Sequence, residues 1–260
     1  MKYLKWMVIF AALGMLSFGC KKEEPVAVEQ PKPATPAPAE VKPEPAAQPA
    51  PAPTPAPAAA APVARSTYER ALLRPSGLKA QAPEKYQVKF VTTRGEFTVT
   101  VTRAWAPIGA DRFYNLVKHH YYDNASFFRV VPGFVVQFGL SAYPPVSAAW
   151  TNAKLKDDPV TQSNKRGYLT FATGGPGTRT TQVFINLKDN SRLDTEPSGP
   201  FAPFGVVEAP GMKVVDMFYD QYGDANGPDQ GQIEAQGKPY LDKGWSKLDS
   251  IKSATIVTNP

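Results

Sequence analysis

The sequence predicts a mainly β domain: a closed antiparallel barrel capped by two α-helices and preceded by an unstructured tether. Three observations lead there. Short apolar runs with strand alternation recur between about residues 86 and 257, separated by Gly- and Pro-containing turns. Two stretches, about 107–121 and Met212 to Tyr222, keep helical spacing instead. Many of the 28 prolines crowd between Pro25 and Pro62, which sets that stretch apart from the rest.

The chain divides into 1–19, 20–65, 66–85 and 86–260. Lys2 and Lys5 precede an apolar run from Trp6 to Leu16. A run of about eleven residues is too short to cross a bilayer as a helix, which needs roughly 20. It has the make-up of a secretory signal peptide. Small Gly19 then precedes Cys20, the only cysteine in the chain, which rules out an internal disulfide or a multi-cysteine zinc site. This start resembles a bacterial lipoprotein signal. That resemblance implies lipidation of Cys20 and, with Lys21 rather than Asp following it, the outer membrane before the inner. Ser17 departs from the leucine common three residues before such a cysteine. An ordinary cleaved signal with an incidental cysteine is the alternative.

From Pro25 to Ala64 the composition is almost entirely Pro, Ala, Glu, Val and Lys. Proline fixes φ and lacks an N–H, and the segment has too little apolar bulk to fold. A polyproline-II-like spacer at about 3.1 Å per residue would reach on the order of 120 Å. A spacer is the reading preferred over a ligand for a proline-recognition module. Next, Ser66 and Glu69 have the spacing of a capping box before Ala71-Leu72-Leu73, which predicts a short helix stopped near Pro75-Ser76-Gly77.

Within 86–260, Val88 and Phe90 share one strand face, and Phe97, Val99 and Val101 share a face of the next strand, with Arg94-Gly95 as the turn. Pro107 can open a helix, and Phe113, Leu116, Val117 and His120 follow with helical spacing. Ser126 to Gly139 reads as two strands joined at Pro132-Gly133. Residues 141–163 read as loop. Tyr168–Thr173, Gln182–Leu187 and Phe204–Val207 read as strands, Met212–Tyr222 as the second helix and Ile251–Val257 as the closing strand. The polar, turn-rich stretch from Gly223 to Tyr240 suggests no chemistry.

Hydrophobic residues make up 42% of the chain, enough to fill a core. The net charge is +6, but Lys and Arg are scattered with no run longer than two. That is a mildly basic surface, not a nucleic-acid footprint. The two histidines are adjacent and read as a solvated helix end, so no metal site is expected.

The segment that carries chemistry is Phe128-Arg129-Val130-Val131-Pro132-Gly133-Phe134, with Gln137 three residues on. By itself, an arginine near a phenylalanine is weak: it is usually a surface cation beside a core aromatic. Further on come Thr181-Gln182-Val183-Phe184-Ile185, then Leu193-Asp194 and Phe204-Gly205-Val206-Val207. These motifs, in this order and spacing, resemble the cyclophilins over roughly Tyr86 to Val257. The resemblance implies a peptidyl-prolyl cis/trans isomerase. By it, Arg129 is the catalytic arginine and Gln137 positions it. Phe134, Val135, Phe184 and Leu193 line the proline pocket, and Ala172, Thr173 and Gln182 hold the flanking backbone.

Several positions depart from the family pattern. Val135 replaces a common methionine, Phe138 a glycine and Thr173 an asparagine; Arg192 replaces the tryptophan that supports cyclosporin binding, and Phe201 a frequent histidine. The retained arginine implies activity, while the changes put drug sensitivity in doubt. The expected partners are proline-containing polypeptides, plus the membrane through the lipid anchor, and the expected state is a monomer. Amide rotation breaks no covalent bond, so no cofactor or metal is expected. A non-catalytic proline-peptide binding module is the alternative, and a structural envelope lipoprotein a weaker one.

Overall fold

The computed structural model describes residues 68–257. The leader, Cys20, the Pro/Ala tether and Ser66 of the expected capping box lie outside the described residues.

The first strands form where alternation predicts them. β1 (Lys85–Thr92) turns Tyr86, Val88 and Phe90 inward, and β2 (Glu96–Thr102) turns Phe97, Val99 and Val101 inward. They pair antiparallel with Phe90 opposite Phe97, whose rings stack 4.8 Å apart. Full burial of each such side chain contributes about 1.5–3 kcal/mol. Gly95 makes the turn at φ +133°, where a Cβ would be strained.

β3 (Arg129–Val131), β4 (Val135–Phe138), β5 (Tyr168–Phe171), β6 (Val183–Asn186), β7 (Pro203–Val207) and β8 (Ile251–Val257) complete one eight-stranded sheet. Its order is β3-β4-β6-β5-β7-β2-β1-β8, with every pairing antiparallel. The sheet curls until its ends approach, but no ladder closes it as a full barrel would. The ends meet through one bridge, Ser126 to Ser250, flanked by backbone bonds from Phe127 to Asp249 and from Asn124 to Ile251. The expected closed barrel is therefore a curled sheet fastened at one point.

β4 and β6 are buried on both faces, which explains why each has only one polar residue, Gln137 and Asn186. Val130, Val136, Phe138, Val183 and Ile185 enter the main core with the β1–β2 residues. Val135 and Phe184, on the opposite face, form a separate small cluster with Leu193.

α1 (Pro107–Lys118) buries Phe113, Leu116 and Val117 against that core. No local side chain caps it. Instead the Asp158 carboxylate accepts the N–H groups of Ile108 (2.9 Å) and Gly109 (2.8 Å) from fifty residues downstream. The expected end near residue 121 is corrected to Lys118. His120 turns left-handed at φ +57°, Tyr121 N bonds Leu116 O, and His120 N bonds Val117 O, a Schellman closure. His120 is thereby exposed rather than part of the apolar face.

Four other expectations are corrected. The lead-in helix is a pair of 3₁₀ turns, Arg70–Leu73 and Pro75–Gly77, held by buried Leu72, whose carbonyl accepts the Trp150 indole N–H at 2.8 Å. The 141–163 loop contains α2 (Pro144–Trp150), since two prolines can occupy a first helical turn whose N–H groups are unpaired anyway. The second helix is only α3 (Met212–Val215): Asp249 takes the Tyr219 N–H, and Phe218 stacks on Phe127 at 4.0 Å, so tertiary contacts redirect the chain. The turn-rich stretch ends in α4 (Gln230–Gln236), capped by Asp229, followed by α5 (Lys238–Gly244). Ile233 and Leu241 of these helices pack on Phe128 and Leu140. No helix among the described residues is long and apolar enough to cross a membrane.

Candidate active site

The β3–β4 hairpin builds the site. Phe134 N bonds Val131 O across the Pro132-Gly133 turn, and Gly133 takes φ +66°. The resulting register sets Arg129 opposite Gln137, and β6 sets Phe184 opposite Gln137 in turn. Directly paired residues share a sheet face. Arg129, Gln137 and Phe184 therefore stand in one row, and Val135 lies two residues from Gln137 on the same face.

Hydrogen bonds run along that row. Arg129 Nη1 donates to Gln137 Oε1 at 3.1 Å, and Gln137 Nε2 donates to Gln182 Oε1 at 2.8 Å. Gln137 is buried, and the Arg129 side chain keeps 26% of its exposure. The guanidinium carbon lies 5.6 Å from the centre of the Phe134 ring.

Beside this chain lies the apolar cluster of Val135, Phe184 and Leu193, with Phe134, Ala172 and Phe201 packed on it. Phe201 meets Phe184 edge-on at 5.9 Å. The expected pocket residues are thus brought together. Phe138 is not among them, because it faces the main core beside Phe90, Tyr122 and Phe127. Arg192 is exposed, its guanidinium 5.0 Å from the Phe134 ring.

Ala172 N bonds Gln182 O at 2.9 Å, which extends the β5–β6 pairing to the site. The Thr173 hydroxyl is turned into its own loop, on Gly175 O and Thr178 Oγ1.

A polar frame, buried at Asn164 and Thr170, holds the far wall. Asp194 accepts from Ser163 Oγ (2.5 Å), Asn164 N (2.9 Å) and Asn164 Nδ2 (2.9 Å). Asn164 Nδ2 also donates to Phe201 O, and Asn164 Oδ1 accepts from Thr170. This ties the 3₁₀ turn carrying Leu193 to the segment carrying Phe201. Burial raises the Asp194 carboxyl pKa, but the hydrogen bonds from Ser163 and Asn164 outweigh it and leave it below the ordinary aspartate value.

Two contributors were not foreseen from the sequence. Asn164 carries no local signal, because its partners lie 30 and 37 residues away. Asp224 sits in the stretch read as having no chemistry, yet its two carboxylate oxygens accept Arg129 Nε and Nη2, the latter at 3.2 Å. A cavity of about 680 Å³ lies elsewhere, between Tyr86, Tyr114, Glu208 and Val257, and has no comparable set of groups.

The chain has known relatives. Residues 87–237 match the family model described as cyclophilin type peptidyl-prolyl cis-trans isomerase. A peptidyl-prolyl cis-trans isomerase of Acinetobacter baylyi is 33% identical over 142 residues, spanning 54% of this chain and 74% of that protein. Peptidyl-prolyl cis-trans isomerase A of Dickeya dadantii is 32% identical over 173 residues, 65% of this chain and 84% of its own. A crystal structure of a cyclophilin type isomerase from Cryptosporidium parvum aligns at 20% identity with a TM-score of 0.47, covering 68% of this chain and 99% of that one. With the family match covering more than half of its length, the chain belongs to the cyclophilin-type peptidyl-prolyl cis-trans isomerases.

Proposed function

We propose that this isomerase acts on proline-containing polypeptides outside the cytoplasm, with Arg129 as the group that stabilises the twisted amide. One observation carries the mechanism: the chain Arg129–Gln137–Gln182 runs along the rim of the Val135, Phe184 and Leu193 niche.

Peptide resonance opposes rotation with a barrier of about 18–20 kcal/mol, and X–Pro bonds exchange in tens to hundreds of seconds. A catalyst has to bind the twisted amide better than either planar form. On twisting, the prolyl nitrogen becomes pyramidal and regains a lone pair. An arginine is a permanent donor to that lone pair. Phe134, Val135, Phe184, Leu193 and Phe201 hold the proline ring and exclude water, which strengthens the hydrogen bond. Ala172, Thr173 and Gln182 bind the flanking backbone. A gain of about 10⁵ in rate requires about 7 kcal/mol, within reach of one charged hydrogen bond and a fitted niche.

The setting rests on the N-terminal sequence. A leader ending at Cys20, lipidation of that cysteine and the Pro/Ala spacer would hold a monomeric domain away from a membrane, the outer one in a diderm host. Growth with palmitate label would mark the wild-type chain and not Cys20→Ser.

The mechanism is tested by a protease-coupled assay on a proline peptide, with the full chain beside Arg129→Ala. The variant should lose about 10²–10³ in kcat/KM, the scale for one transition-state donor. Equal activity would end the role of Arg129.

A further inference from the structure

We infer that Asp224 is a positioning residue for Arg129: it holds the guanidinium so that only the end of its fork is offered to the substrate. This rests on the Arg129 mechanism proposed above.

A guanidinium has five N–H donors in a rigid plane. Asp224 accepts two of them, Nε–H and one on Nη2, and Gln137 accepts one on Nη1. One N–H remains on each η nitrogen, at the tip of the side chain. A twisted amide needs only one donor. The carboxylate and the amide together remove the rotations that would turn the fork away. A bidentate carboxylate–guanidinium pair fixes direction as well as distance.

The loop that carries Asp224 is itself held from several sides. Asp224 follows Gly223 at φ +52°, in a loop where Asn226 N bonds Tyr222 O at 3.1 Å. The Trp245 indole N–H donates to Asn226 O at 2.9 Å. Gly227 packs close enough that an added Cβ would lie 3.1 Å from Gly223 O. Upstream, Tyr219 N is bound by Asp249 at 2.8 Å, and downstream Asp229 caps α4. The loop is therefore anchored by residues that flank β8, α4 and α5, and it presents one carboxylate to one arginine.

The simpler account is an exposed ion pair: the Asp224 side chain is 55% exposed, and such pairs contribute little to stability. The two accounts differ in catalysis. Misdirecting a reacting group lowers turnover even where binding persists. Asp224→Asn keeps the shape and loses the charge and one acceptor oxygen. We expect kcat on a proline peptide to fall roughly tenfold, about 1.4 kcal/mol, with KM and the urea midpoint little changed. Asp224→Glu should recover part of the loss. The Arg129 Nε–H signal in ¹⁵N NMR should shift in Asp224→Asn. In an Arg129→Ala background the same change should cost nothing further.

Wild-type kcat in Asp224→Asn would reduce the pair to surface decoration. A higher kcat would make Asp224 a competitor of the substrate. An undiminished loss in the Arg129→Ala background would show that it acts by another route. Each of these overturns the inference. Failure of the wild type itself in the assay, or full activity of Arg129→Ala, would overturn the isomerase mechanism instead.

Discussion

Two arginines stand over aromatic rings, and their surroundings differ in one respect that matters. Arg179 lies 5.9 Å from the Phe171 ring and Arg129 lies 5.6 Å from Phe134. The Arg179 side chain has no exposure, and it pairs with Asp157 and with buried Asp158, each at 3.1 Å. Its third nitrogen donates to Lys156 O, and Asp158 also caps α1. Every nitrogen is committed to holding the 151–163 segment against the helix. Arg129 likewise uses all three nitrogens, on Asp224 and Gln137, but its side chain is 26% exposed, so the N–H groups left at its tip are accessible. The same side chain is a structural rivet where it is sealed from solvent, and is open to the chemistry proposed above where its tip can be reached.

The comparison breaks most directly by removing each cation. Arg179→Ala should destabilise the fold by about 3–5 kcal/mol, because the buried Asp158 carboxylate and the partly buried Asp157 carboxylate lose their cation. Arg129→Ala should change stability by less than about 1 kcal/mol while abolishing most activity. Urea unfolding of both variants, set beside the isomerase assay, reads the two axes separately. Comparable stability losses would mean that exposure does not separate the roles.

A second test falls on the junction between the two. Arg179 and Gln182 are separated by two residues, and Gly139 packs under the second of these, Thr181, and Gln182. An added Cβ at Gly139 would lie 2.5 Å from Thr181 O and 2.8 Å from the Gln182 Cα, at φ +107°. Thr181 is also fastened there by Tyr121 and Tyr122, whose hydroxyls donate to its Oγ1 and carbonyl at 3.0 Å. Gly139→Ala should therefore damage both properties: stability by about 1–3 kcal/mol and, through Gln182 and Gln137, turnover as well. Loss of stability with turnover intact at low temperature would show that the Gln182 end of the chain does not position Arg129.

What could be read from the sequence follows how locally each feature is specified. The β1–β2 hairpin was legible because Val88, Phe90, Phe97, Val99 and Val101 alternate and one face is dry. The candidate site could be read because Arg129, Phe134 and Gln137 belong to one hairpin, whose motif carries the resemblance. α2 was hidden by Pro144-Pro145, which signals a loop and a helix start equally well. The overlong second helix arose because Met212, Val215 and Phe218 are all buried, a spacing that α3 and the turns after it satisfy as well as a longer helix would. Asp224 was invisible because its partner lies 95 residues away and the residues around it are polar.

The smallest expected effect concerns a carboxylate that no arginine holds. Asp157 and Asp158 are fixed by a cation, whereas Asp194 is fixed by neutral donors from Ser163 and Asn164. Its folded-state pKa lies below the ordinary aspartate value of 3.8. The unfolded chain therefore binds the proton more readily than the folded one as pH falls. The stability Asp194 contributes is present in full above its unfolded pKa and is lost as pH falls through the lower, folded value. Asp194→Asn removes the titration and should lower stability at neutral pH. The gap between wild type and variant in urea unfolding should then narrow only in that acid window. A gap constant through it would mean that the donors stabilise the protonated acid equally well. The wall carrying Leu193 would then owe its position to packing rather than to charge.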